Sequence, residues 1–122
     1  MYDVIIIGAG PAGLTAGLYS GRSRLNTLII EKAADGGQIA ITDEIENYPG
    51  GLSNEESTES GSELIKRMSR QVAQFGAERV SAEVIKVELE GKVKKVHTYD
   101  AVYESRAVII ANGAHPRLIM LI

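Results

Sequence analysis

The chain has 122 residues, of which 44% are hydrophobic and 24% charged, with a net charge of −3. That length bounds it to a single domain, and mild acidity without a basic stripe or interleaved aromatics excludes a nucleic-acid-binding surface. Cysteine is absent, which removes disulfides, thiolate zinc sites and thiol catalysis and leaves the redox compartment open.

Tyr2-Asp3-Val4-Ile5-Ile6-Ile7 is rich in β-branched residues and reads as a strand buried on both faces. Gly8-Ala9-Gly10-Pro11-Ala12-Gly13 follows directly and matches G-x-G-x-x-G. Gly8 allows a sharp exit from the strand, Gly10 lets a pyrophosphate approach the backbone, and Gly13 lets the next helix lie close to the strand. Pro11 suits the first helical turn, where a missing N–H costs nothing. The predicted helix runs from Pro11 to Ser20 or Ser23, and its N-terminus offers free N–H groups and partial positive charge to phosphates. Gly13, Gly17 and Gly21 form a small-residue face suited to pressing the helix onto a sheet. Arg22 and Arg24 read as solvated charges at its C-terminal end.

Val4 to Gly21 carries no charge. Asp3 contradicts a basic leader, and the glycines and Pro11 would break a spanning helix, so no membrane segment is expected and a cytoplasmic location is the default. Thr27-Leu28-Ile29-Ile30 is a second buried strand with Glu31 at its end, near the spacing of about 20 residues that the dinucleotide fingerprint places between its glycines and its acid. Glu31 can accept hydrogen bonds from a ribose 2′-hydroxyl and would repel a 2′-phosphate, which favours NAD or the ADP half of FAD over NADP. An ordinary strand–helix turn with a surface acid is the competing reading, and the complete strand, turn, helix and acid unit disfavours it.

Further on, Gly36-Gly37-Gln38 would lie on the ligand edge of a parallel sheet, although a Gly-Gly pair alone is as often a plain turn. Ile39 to Tyr48 is ambiguous, and Asn47-Tyr48-Pro49-Gly50-Gly51 signals a loop. Leu52 to Ser62, with its serines and glutamates, reads as a mobile surface loop. Ser60 and Glu63 form a capping box that opens a helix to about Phe75, with Leu64, Ile65, Met68, Val72 and Phe75 as its core stripe and Gly76 as its stop. Val84 to Leu89, Val93 to His97 and Ala101 to Glu104 read as an antiparallel meander with one wet face, turning at Glu90-Gly91. Lys92, Lys94 and Lys95 would guard its edge, and His97 has no partner at a recognisable spacing. Ala107 to Ala111 reads as a separate, buried parallel strand. It ends at the turn Asn112-Gly113-Ala114, followed by an extended His115-Pro116-Arg117. The closing Leu118-Ile119-Met120-Leu121-Ile122 is too apolar for a solvated tail and implies a missing neighbour or a cut or altered end.

Tyr2 to Glu31, Gly36-Gly37-Gln38, Asn47-Tyr48-Pro49-Gly50 and Ala107 to Arg117 together resemble the N-terminal part of low-molecular-weight thioredoxin reductases, in that family's order and spacing. The resemblance implies an α/β, Rossmann-like FAD-binding fold with a parallel sheet and a small antiparallel β-meander, present here in incomplete form. Residues 1–117 would be the N-terminal part of an FAD-binding domain and 118–122 the apolar tail. It implies that Gly8, Gly10, Pro11, Ala12 and Gly13 hold the FAD pyrophosphate, and that Glu31 binds the adenosine ribose with Lys32 beside it. Gly36, Gly37, Gln38 and Asn47 would meet the ribityl chain and flavin, the backbone near Val84 the adenine edge, and Ala111 and Gly113 the pyrophosphate from the far side. The family usually has Ala-Thr-Gly at that last turn, where this chain has Asn112 in the middle.

In that family electrons pass from NADPH through FAD to a protein disulfide such as that of thioredoxin, and a homodimer is compatible with the resemblance. The NADPH domain and its Cys-x-x-Cys pair are not among these residues. No catalytic residue and no metal ligand is therefore assigned, and the chain alone is expected to bind flavin weakly, if at all, and to lack reductase activity. A ferredoxin–NADP reductase-like segment is the alternative within flavoproteins, and a non-catalytic nucleotide-binding module or fragment is the alternative outside enzymes.

Overall fold

The computed structural model describes residues 1–54 and 56–114. Strand β1 (Tyr2–Ile7) lies inside a six-stranded sheet of order β3-β2-β1-β6-β5-β4, with β2 at Thr27–Glu31 and β6 at Val102–Ile110 on its two sides. Both neighbours run parallel to it. The β-branched run is continuous because both faces of β1 are covered: Val4 and Ile6 join one apolar cluster and Ile5 the other.

The first cluster belongs to the helices. Helix α1 (Pro11–Arg22) and helix α2 (Gly61–Gln74) contribute Leu14, Ile65 and Val72, which meet Val4, Ile6 and Ile29. The small face of α1 does press inward: a Cβ at Gly17 would crowd Ile29, and one at Gly21 would crowd the backbone of Phe75 at the end of α2. Ser60 caps α2 by accepting from the Glu63 N–H at 3.2 Å, and Gly76 follows with φ +82°. Both features agree with the sequence reading.

The second cluster belongs to the antiparallel strands. β4 (Val84–Glu88) and β5 (Lys94–Thr98) form a hairpin, and Val84, Val87 and the fully buried Val96 pack with Ile5, Leu28 and Ile30. This is the expected meander, but it is not a separate unit. The pieces read as Ala101 to Glu104 and Ala107 to Ala111 are one strand, β6. Its first half pairs antiparallel with β5 and its second half parallel with β1. The second half is also less buried than expected, with Ile109 and Ile110 exposed.

Three further readings are corrected. A short strand, β3 (Glu78–Ser81), pairs parallel with β2 at the sheet edge and was not anticipated. The Tyr2 hydroxyl donates to Glu78 at 2.6 Å, and that bond pushes the Tyr2 pKa up to about 12. His97 has a partner after all, because pairing of β4 with β5 brings its Nε2 to 2.6 Å from Glu88 Oε2. The ambiguous stretch begins as a 3-10 turn, Gly37–Ile41.

The Leu52–Ser62 loop is the third correction, since an acid at its end is buried. Glu59 is 5% exposed and accepts from Arg67 Nε at 3.0 Å, Arg67 Nη2 at 2.5 Å and the Leu52 N–H at 3.0 Å. Arg67 also donates to the Gly50 carbonyl at 3.2 Å. The guanidinium holds the Glu59 carboxyl below the usual carboxylate range, against the opposing effect of burial, and the Leu52 amide assists. A folded pKa below the unfolded one gives stability that is present above the unfolded value of about 4.3 and lost as pH falls through the folded value. Arg67→Ala should therefore cost about 2–3 kcal/mol at neutral pH, by leaving a buried charge unpaired. The deficit should shrink in acid, where Glu59 takes up a proton. Urea unfolding of the variant and the parent at several pH values checks this. Glu55 in this loop, the extended His115–Arg117 segment and the Leu118–Ile122 tail, with the domain boundary between them, lie outside the described residues.

Candidate functional site

The C-terminal ends of β1, β2 and β6 converge, and ligands of open α/β sheets bind at that edge. Gly8 leaves β1 with φ +110°, and its N–H donates to the Ile30 carbonyl at 2.9 Å. The Ala111 N–H donates to the Ile7 carbonyl at 2.8 Å, which carries the β6 ladder one step further. A Cβ at Gly8 would stand 2.1 Å from the Ala111 carbonyl oxygen, and a Cβ at Gly13 would stand 1.9 Å from the Gly8 carbonyl oxygen. Two of the three fingerprint glycines are thus fixed by backbone contact: Gly8 lets β6 end against the turn, and Gly13 lets α1 start against it.

Gly10 is different. It is the N-cap of α1, with φ −77° and ψ −171°, a conformation open to any residue. The nearest atom to a Cβ there is the Gly36 carbonyl oxygen at 3.9 Å, an ordinary contact. Neither strain nor packing asks for glycine at this position. What a side chain would fill is the open approach to the start of α1. Pro11 occupies the first helical position, no acid lies in the first turn, and no side chain caps it. No acid or capping side chain of the first turn therefore neutralises the positive end of the dipole.

Glu31 ends β2 half-buried and is less free than expected. Its Oε2 accepts from the Ala9 N–H at 2.8 Å and its Oε1 from the Ala33 N–H at 3.1 Å. The carboxylate thereby ties the glycine turn to the loop after β2. A carboxylate has about four lone-pair directions, so two remain for ribose hydroxyls. A cavity of about 310 Å³ opens beside it, walled by Gly8, Glu31, Lys32, Glu83, Val84 and Asn112 among others. That volume lies at the small end of ligand pockets and suits a nucleoside.

The second glycine turn lies alongside the first. The Gly36 N–H donates to the Ala9 carbonyl at 2.7 Å, and a Cβ at Gly37 would stand 3.8 Å from the Gly10 Cα. Gln38 uses its amide to donate to the Ala114 carbonyl at 2.6 Å, which joins this turn to the end of β6. Gly113 is exposed with φ +61° and nothing crowds it. Gly8, Gly10, Glu31, Lys32, Gly36, Gly37, Gln38, Val84 and Ala111 thus share one rim, with Pro11, Ala12 and Gly13 at its helical corner. Asn47 is exposed in the loop after Ile45 and, like Gly10, Gly36, Gly37 and Gln38, lies outside the cavity lining.

The structure also adds residues. Ala9 supplies both a donor to Glu31 and an acceptor to Gly36. Asn112, noted in the sequence only as a departure from a familiar turn, lines the cavity, and so do Ala82 and Glu83. The turn containing Asn112 was already visible in the sequence. Ala82 and Glu83 carried no signal, because they become a wall only once β3 is placed beside β2.

Among the described residues no group of His, Cys, Asp and Glu could hold a metal ion, and no helix is long and apolar enough to cross a membrane. Residues 2–122 match the family model of the pyridine nucleotide-disulphide oxidoreductases. The chain is 48% identical over 118 residues to a thioredoxin reductase of Peptoclostridium acidaminophilum, a match that covers 97% of this chain and 36% of that protein. It is 47% identical over 115 residues to a thioredoxin reductase of Bacillus subtilis, covering 93% and 34%. Among solved structures, thioredoxin reductase from Streptococcus pyogenes superposes with a TM-score of 0.88 at 47% identity, covering 98% of this chain and 37% of that one. The Gloeobacter violaceus thioredoxin reductase gives the same TM-score at 39% identity, covering 98% and 37%. The chain spans about a third of the length of the curated relatives it matches.

Proposed function

We propose, because this chain belongs to the pyridine nucleotide-disulphide oxidoreductase family, that residues 1–117 form the N-terminal part of an FAD-binding domain in a thioredoxin-reductase-like flavoprotein. Gly10 is the observation that carries this reading. A position with relaxed dihedrals and free space beside its Cα needs glycine when a ligand backbone comes close. The residues present fit FAD in that sense. Glu31 and Lys32, with the wall at Val84, would take the adenosine. Gly8, Gly10, Pro11, Ala12 and Gly13, with Ala111 and Gly113 opposite, would take the pyrophosphate. Gly36, Gly37, Gln38 and Asn47 would meet the ribityl chain and flavin.

When bound, the flavin supplies the chemistry of such a protein, accepting a hydride from NADPH and passing the electron pair to a disulfide. The residues of this chain bind and orient. The start of α1 places partial positive charge at the phosphates, Glu31 selects an unphosphorylated ribose, and the apolar floor of Ile7, Ile30 and Ile110 keeps water from the base. The acceptor in the whole protein would be thioredoxin or a similar disulfide protein, and its location the cytoplasm.

These 122 residues contain no cysteine, so they bring no dithiol to the last step. The purified chain supplied with FAD, NADPH and a disulfide substrate should consume no NADPH above the rate of free flavin, followed by nicotinamide absorbance. Turnover by this chain would contradict the division of labour proposed here.

A further inference from the structure

Beyond the rim itself, one side-chain cluster controls its shape. The loop from Lys32 to Gly37 carries three of the rim residues and leaves the sheet at Glu31. Asp35, directly before Gly36, is held from two directions. Arg79 of β3 pairs with its Oδ1 through both Nε and Nη2, and Ser69 of α2 donates to its Oδ2 at 2.9 Å. The same guanidinium donates to the Ala33 carbonyl at 3.2 Å and to Ser81 Oγ at 3.1 Å. A sheet-edge strand and a helix therefore grip one loop through a single carboxylate and a single guanidinium.

The grip has a consequence for the site. Gly36 sits at φ +112°, and its Cα packs so tightly that a Cβ would come within 2.8 Å of Ile65 Cγ1 and of Ala40. Its N–H must still reach the Ala9 carbonyl at 2.7 Å. Fixing Asp35 fixes the residue before that strained turn. Fixing the Ala33 carbonyl fixes the residue whose N–H holds Glu31 Oε1. We propose that the Arg79–Asp35–Ser69 cluster is a positioning clamp that holds the Lys32–Gly37 loop, and with it the Glu31 carboxylate, in the shape that accepts an adenine dinucleotide. The inference rests on the nucleotide reading above. Its mechanism is preorganisation: without the clamp the loop samples other shapes, and apparent affinity falls by the fraction of time the right one is present.

The test uses the 15N-labelled chain with ADP as the probe, comparing the parent with Asp35→Asn and Ser69→Ala, two substitutions close in size to the original side chains. Amide hydrogen exchange at Ala33 and Gly36 should speed up in Asp35→Asn while that of β1 stays unchanged. The Kd for ADP should rise about fivefold to tenfold, with a smaller rise in Ser69→Ala. Arg79→Lys, which keeps a charge near Asp35 but loses the fork to Ala33 and Ser81, should fall between them. A loss of thermal stability alone, with exchange at Ala33 and Gly36 and the Kd unchanged, would show a merely structural pair and overturn the clamp. So would faster loop exchange with an unaltered Kd. If ADP at millimolar concentration shifts no amide in the parent, the nucleotide reading itself falls and takes the clamp's role with it. Binding in the parent that is equal in the variants defeats the clamp alone.

Discussion

Gly13→Val should lower the thermal midpoint by on the order of 10 °C. The Cβ would be built 1.9 Å from the Gly8 carbonyl oxygen, and that oxygen belongs to a residue itself wedged against Ala111. Backbone stands on both sides, so no side-chain rotation relieves the clash, and α1 must shift away from β1. Overpacking of this kind costs about 3 kcal/mol or more. Valine regains a few tenths of a kcal/mol over glycine in helix propensity, far too little to offset it. A domain of this size has only about 5–15 kcal/mol to lose. Calorimetry or circular dichroism on heating checks the result, and a midpoint within about 2 °C of the parent would mean that α1 does not lie where it is placed.

Gly10→Val should do the opposite, leaving the fold and removing the ligand. The Cβ meets nothing closer than 3.9 Å, and the backbone at φ −77° is comfortable for a branched residue. Only the N-cap preference is lost, about 1 kcal/mol. The new side chain, however, occupies the approach to the first N–H groups of α1. A phosphate held off by that bulk loses both hydrogen bonds and the near end of the dipole. Nucleotide affinity should fall by at least about tenfold to a hundredfold, while the thermal midpoint drops by only a few degrees. Nucleotide titration and thermal unfolding on the same sample separate the two effects. Unchanged affinity would show that the phosphate site is misplaced.

The two glycines have the same weight in the G-x-G-x-x-G pattern and different causes in the structure. Much of the rest follows that division between local signals and distant ones. β1, β2, α1 and the capped α2 were legible because their periodicity and caps are local: Ser60 and Glu63 are three residues apart, and Gly76 sits just past the last turn. β3 was not, because Glu78-Arg79-Val80-Ser81 is short and mostly polar, and only its register against β2 makes it a strand. β6 was split in two because Arg106 interrupts its pattern. Its two halves answer to different partners, antiparallel β5 and parallel β1, which no local period can reveal. Glu59 read as one more solvated acid, and it is buried only because Arg67 on the next helix reaches it.

The site divides in the same way. Glu31 and the glycines were visible from spacing. The use of Glu31 as a tie between Ala9 and Ala33 was not, and neither was the Arg79–Asp35 pair, which joins residues far apart in sequence. Asn47 entered by resemblance alone, and it is exposed in the loop after Ile45.

An adenine-dinucleotide cradle is proposed at the C-terminal ends of β1, β2 and β6. The most direct measurement is an amide chemical-shift map of the 15N-labelled chain titrated to millimolar FAD, where even weak binding is visible. Shifts should concentrate at Gly8, Ala9, Gly10, Ala12, Glu31 and Lys32, reaching Val84 and Gly36. Shifts that gather on α2 or the outer face of the β4–β5 hairpin would contradict the cradle.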